Sequence, residues 1–310
     1  MKKRYKLLIA AATMVAVPAA INHYIKKTFS SPFSPKYRQS TYDWKFGKIN
    51  YVKYGDGEPL LLLHNVGIGS AGHEWDNVLN ALARHYTVYV PDMLGFGNSE
   101  KPEISYSAYL YASMINDFIC DVIGAPAFLA ASSKACDFAV SAYRFQPDNF
   151  LKLMLISPTG ISDSAESMPY IKKLLDLPLY GTFAFNMMRS MACISYYLKK
   201  QVYFDCSKVD LVSTAKYHKA AHFGGPSGKY PISACLAGLL DVDISKTITD
   251  LKIPVHIVWG ADNEQNPINA VYDLNQTGFS FGFTSFEKAR LLPHAEHPSK
   301  FVKLCLEFFE

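Results

Sequence analysis

Pro91-Asp92-Met93-Leu94-Gly95-Phe96-Gly97-Asn98-Ser99 continues the apolar run that begins at Thr87. The run reads as a buried strand, and the two glycines permit backbone shapes closed to larger side chains, so the segment reads as a tight loop leaving a sheet. Upstream, Pro59-Leu60-Leu61-Leu62-Leu63-His64 lacks polar alternation, the pattern of a strand covered on both faces. Lys48 to Tyr54 reads as a further strand before it, with Gly55-Asp56-Gly57 as the turn. Downstream, His73 to His85 reads as helical, and Ser107 to Val122 as a helix opened by a serine cap. Ala127 to Ala131 is a strand, Lys134 to Phe145 a helix and Leu151 to Ile156 a strand. This alternation builds a mostly parallel sheet flanked by helices.

After Pro158 the pattern changes. Residues 160 to about 245 carry helical apolar patches and clustered Met, Phe and Tyr without clear buried strands, which reads as a helical cap inserted at the sheet's carboxyl edge. Strands at Ile253 to Trp259 and roughly Ser285 to Leu291, then a helix from Pro298, close the chain. With 310 residues, 49% of them hydrophobic, the chain buries a substantial core, and disorder or low-complexity classes are excluded.

The net charge of +4 is unevenly placed. Residues 1 to 42 hold eight Lys and Arg and no acid, leaving −4 for the rest, so a nucleic-acid footprint over the folded part is not expected. Lys2, Lys3, Arg4 and Lys6 precede an uncharged stretch from Leu7 to Ile25, followed by Lys26 and Lys27. This predicts a membrane anchor over 1–28, with the domain on the extracytoplasmic side. The alternative is a secretory signal cut near Val17-Pro18-Ala19, releasing a secreted domain. Residues 29–41 read as a tether and 42–310 as the folded domain.

Six cysteines at 120, 136, 193, 206, 235 and 305 lack C-x-x-C spacing, so structural thiols are expected, without a disulfide framework or metal site. No cofactor is expected, as no P-loop or dinucleotide fingerprint occurs.

Four segments together resemble the α/β-hydrolase fold superfamily over essentially 42 to 310. Leu61-Leu62-Leu63-His64-Asn65-Val66-Gly67 is similar to the family's strand followed by His-Gly, and Asp92 to Ser99 to its Asp-x-x-Gly-x-Gly-x-Ser loop. Ala131-Ser132-Ser133-Lys134-Ala135 stands where the family shows Gly-x-Ser-x-Gly, a strained strand-to-helix turn that lifts the serine above the sheet and needs small residues on either side. The resemblance implies Ser133 at the nucleophile position and backbone N–H groups of Val66 and Lys134 as oxyanion donors.

The last two segments depart from the pattern. A serine hydroxyl needs an imidazole to take its proton and a carboxylate to orient that imidazole. In Trp259-Gly260-Ala261-Asp262-Asn263 the usual acid position holds Asn263, with Asp262 one residue early. Arg290-Leu291-Leu292-Pro293-His294-Ala295-Glu296-His297-Pro298 puts Leu291 at the histidine position. Placing His297 there instead leaves only 13 residues for the last helix, against 19 in the Leu291 register. His294 is the nearest substitute base and Lys134 a remoter one.

Losing only the histidine of such a triad costs on the order of 10⁶ in kcat, so the residues point to an impaired binder of an apolar ligand or partner. An active esterase or lipase-like enzyme, cleaving a small apolar ester through Ser133 and His294, is the alternative.

Overall fold

The computed structural model describes residues 2–29, 36–161 and 167–310. Eight strands form one sheet: β1 (Gln39–Trp44), β2 (Gly47–Tyr54), β3 (Glu58–Leu63), β4 (Tyr86–Pro91), β5 (Ala127–Ser132), β6 (Phe150–Ile156), β7 (Val255–Gly260) and β8 (Gly282–Phe286). Their order is β1-β2-β4-β3-β5-β6-β7-β8, with β1 and β2 antiparallel and the other pairs parallel.

Side chains of a strand alternate between faces, and β3 shows why its leucine run is continuous. Leu61 and Leu63 enter the core on one face with Tyr111, Phe138 and Trp259, while Leu60 and Leu62 enter the other with Trp75, Phe301 and Phe309. All four leucines are fully buried, which contributes about 1.5–3 kcal/mol each.

The helices between strands are α2 (Leu79–Leu82), α3 (Ala108–Phe118) and α4 (Lys134–Phe145), with α10 (Ser245–Thr249) before β7 and α11 (Asn269–Gln276) after it. The chain closes with α12 (Pro293–Glu296) and α13 (Pro298–Phe309). The Ser107 side chain caps α3 by accepting from Leu110 N–H at 3.2 Å, as its sequence predicts. Between β6 and α10 the cap is built from α5 (Pro169–Leu175), α6 (Tyr180–Met188), α7 (Met191–Tyr197), α8 (Leu211–His222) and α9 (Lys229–Leu236).

The N-terminal stretch is a helix, α1 (Lys2–Thr28), that contacts α6. Asn22 Nδ2 donates to Leu179 O at 3.0 Å, and its Oδ1 accepts from Asn186 Nδ2 at 2.8 Å. Asn186 Oδ1 in turn accepts from the buried Arg189 guanidinium. Among the described residues no helix is long and apolar enough to cross a membrane, so the expected spanning anchor finds no support.

Three sequence readings need correction. The tether expected to run to residue 41 stops earlier, because Gln39 to Tyr42 already pairs with β2. The helix expected from His73 to His85 is a 3₁₀ turn over Gly72–Trp75 followed by the four residues of α2. The strand expected at Ser285 to Leu291 lies earlier, as β8, because Gly282 to Phe286 takes the register against β7.

Candidate functional site

The loop after β4 is a scaffold. Asp92 accepts from Gly72 N–H at 2.7 Å and from Asn98 N–H at 2.8 Å. Gly97 has φ +48°, and a Cβ there would fall 2.3 Å from the Asp92 carboxylate, so the loop requires glycine. His64 is equally structural: Nε2 accepts from Met93 N–H at 2.9 Å, and Nδ1 donates to Asn65 O at 2.6 Å.

Ser133 sits between β5 and α4 with φ 53° and ψ −120°, a shape few side-chain-bearing residues adopt. Its N–H is held by Ile156 O of the adjacent strand at 2.7 Å, and Ala131 and Ala135 on either side are fully buried. The serine opens into a cavity of about 670 Å³ under the cap, and its hydroxyl makes no hydrogen bond among the described residues. Apolar wall is supplied by Ile68, Met168, Met188, Ile194, Leu236 and Leu291.

Lys134, Asp137 and Asp241 form a charged edge of the same cavity. Lys134 pairs with Asp241 at 2.5 Å. Burial alone would lower the ammonium pKa, but Asp137 and Asp241 outweigh it and hold it above its ordinary value. Lys134 therefore stays protonated and is no proton acceptor, which corrects its reading as a remote base. Burial pushes the Asp137 carboxyl up to about 6, against the opposing pull of Lys134, the Thr159 hydroxyl and Gly160 N–H.

None of the nine histidines is among the described residues that line the cavity. Leu291 is, packed with Ile194, Leu198 and Val202 of the cap. His294 is not brought to Ser133. It is fully buried, stacked on Trp75 at 4.2 Å, and neither ring nitrogen has a partner among the described residues; burial lowers its pKa to about 3. The expectation of His294 as substitute base is corrected accordingly, since its neighbours Trp75 and Phe301 are core aromatics. His297 bonds Lys288 O at 3.1 Å on the surface.

Asp262 is exposed and accepts from Lys288 N–H at 3.0 Å, so it holds a turn and lies outside the cavity wall. Asn263 is buried; its Oδ1 accepts from Asn266 N–H at 3.3 Å, and its Nδ2 has no partner among the described residues. Val66 lines the cavity, but its N–H donates to Asn65 Oδ1 at 2.7 Å, a bond that its reading as an oxyanion donor did not foresee. Asn65 N–H donates to Glu74 Oε2 at 2.9 Å, and burial pushes that carboxyl up to about 8. Asn65, Asp137 and Asp241 were not singled out from sequence. Only Asn65 carried a signal there, as the residue standing where the resemblance has glycine.

Residues 58–182 match the α/β-hydrolase fold family. A 2-hydroxy-6-oxo-6-(2'-aminophenyl)hexa-2,4-dienoic acid hydrolase of Metapseudomonas resinovorans is 43% identical over 73 residues, which is 23% of this chain and only a quarter of that protein's length. A pimeloyl-[acyl-carrier protein] methyl ester esterase of Aeromonas hydrophila is 25% identical over 84% of this chain and 98% of its own. Among solved structures, a serine hydrolase involved in carbazole degradation superposes with a TM-score of 0.74 at 21% identity, covering 88% of this chain and 98% of that one. A membrane phospholipase A gives 0.69 at 18% identity, covering 100% and 98%. The family match spans the strands that lead into Asn65 and Ser133, and the solved structures follow the backbone around them; the chain has the α/β-hydrolase fold, and residues 58–182 carry that family's sequence pattern.

Proposed function

We propose that this protein binds a neutral apolar ligand under its cap and hydrolyses it slowly or not at all. One observation carries the reading: Ser133 lines the cavity with no hydrogen bond from its hydroxyl to any described residue, in a wall that contains Leu291 and no histidine among its described residues. A serine alcohol without a positioned base stays protonated near neutral pH and is a weak nucleophile. The cavity volume of about 670 Å³ and its methionine and aliphatic lining suit an apolar molecule of moderate size. Labelling folded protein with a fluorophosphonate tests this. Absence of adduct is expected; stoichiometric labelling within minutes, lost in Ser133→Ala, would reverse the reading.

That reversal is the second reading, an active esterase. It is favoured by the strained Ser133 backbone, a feature that ligand binding alone does not require, and by the names of the relatives, several of which are esterases or hydrolases.

The proposal extends to α1 as a membrane-surface contact. It is supported by the eight basic and no acidic residues in 1–42 and by exposed Met14, Val15 and Val17 on the helix. Co-flotation with phosphatidylglycerol vesicles, but not with phosphatidylcholine vesicles, is the expected result; no flotation with either rejects it.

A further inference from the structure

Val66 N–H is occupied by the side chain beside it, and that bond settles the orientation of the Asn65 amide. A backbone N–H needs an acceptor, so the Asn65 atom 2.7 Å from Val66 N is Oδ1 and the amide's other end is NH₂. Asn65 is held from behind as well, through its own N–H and the buried Glu74 carboxyl group. The side chain is 5% exposed and forms part of the cavity wall with Val66, Ser133 and Lys134. Nδ2 donates to none of the described residues, and it is not among the fully buried polar atoms left without a partner, so it keeps some exposed surface.

We infer that Asn65 is a ligand-selecting residue, whose Nδ2 donates to a carbonyl oxygen of a neutral acyl ligand in this cavity, replacing the occupied Val66 N–H. The charged edge narrows the ligand class. Asp137 and Asp241 face a single lysine there, so a free carboxylate would meet net negative charge, whereas an ester or ketone oxygen only needs a donor. The hydrocarbon part then lies along Met168, Met188, Ile194 and Leu291. An amide donor in the cavity wall discriminates between ligands, because an analogue lacking the carbonyl leaves that donor desolvated and unpaired.

This inference rests on the ligand-binding reading, and the test separates the two. Displacement of Nile red by methyl octanoate and by nonane is measured on wild type, Asn65→Asp and Asn65→Gly. Asn65→Asp keeps an acceptor for Val66 N–H and removes the donor; Asn65→Gly removes the side chain and returns Val66 N–H to the cavity. The expected pattern is a roughly fivefold to tenfold loss of methyl octanoate affinity in Asn65→Asp, recovery to within about twofold of wild type in Asn65→Gly, and no change for nonane. General damage to the cavity would weaken both ligands and would not be reversed by glycine. Equal losses for ester and alkane, or an unchanged ester affinity in Asn65→Asp, overturn the role of Asn65 while leaving the binding reading intact. Failure of both ligands on wild type defeats the binding reading itself, and the inference with it.

Discussion

Ser133 and Leu291 line one cavity, the serine from the β5–α4 elbow and the leucine from the segment between β8 and α12. Leu291 also joins the apolar cluster of Ile194, Leu198, Val202 and Tyr217, so a side chain that shares the serine's cavity belongs to the packing between core and cap.

Leu291→His together with Asn263→Asp should therefore create hydrolysis. Cleavage of p-nitrophenyl butyrate is expected to rise by roughly 10² or more over wild type, with Ser133→Ala removing the gain. The same pair should lower stability by about 1–3 kcal/mol, because an imidazole replaces hydrocarbon in a packed cluster. Activity no higher than that of the parent would show that the two positions do not converge on the serine.

His294→Leu tests the opposite assignment. Any fluorophosphonate adduct formed by wild type should form at the same rate in the variant, because the ring is stacked on Trp75 away from the cavity wall. The wild-type pKa is depressed to about 3, so the unfolded chain takes up a proton that the native state refuses. This residue's contribution is present above about pH 6.5 and is lost as pH falls toward 3. Thermal denaturation of His294→Leu should accordingly be less acid-sensitive over that window.

Glu74 has the opposite sign. Its pKa is raised to about 8 by burial, so the native state holds the proton more tightly than the unfolded chain does. Stability from this group is present below about pH 4.5 and is lost as pH rises through about 8. Glu74→Gln preserves an acceptor for Asn65 N–H. Its melting temperature relative to wild type should be higher at pH 8.5 than at pH 5, and an equal difference at both values would reject the assignment.

Lys134→Met leaves Asp137 and Asp241 without their cation. The side chains of the Lys134–Asp241 pair retain 16% and 27% exposure, so solvent screening reduces the cost to about 1–2 kcal/mol, read from urea denaturation. Retained ligand binding in this variant would show that the lysine is not needed to hold the ligand.

Much of the scaffold was legible because buried strands announce themselves locally. Leu60 to Leu63 and Ala127 to Ala131 are continuous apolar runs, and α4 occupies the range its sequence implied, Lys134 to Phe145. The β1 strand was missed because it is an edge strand with mostly exposed or half-buried residues, which carries no run to detect. The site was legible only where one short segment defines it, as at Ser133. Lys134 and Asp241 are 107 residues apart, and no local pattern connects them. Leu291 looked like the end of a strand because it is apolar, whereas its burial comes from cap residues about 90 positions earlier. The polarity of Asn65 was visible, but that its own oxygen would occupy the next N–H is a torsional fact that residue identity does not encode.

Asn22 completes a chain of donors and acceptors that ends on a cation with no acidic counterpart among the described residues, the Arg189 guanidinium shared among Asn186, Ala221 O and Gly225 O. A recombinant version trimmed to start at β1 would strip Asn186 of that acceptor and uncover the α6 surface on which α1 rests. Ligand uptake would then be measured in a molecule whose cap had lost one of its supports, so such kinetics belong to a chain that retains α1.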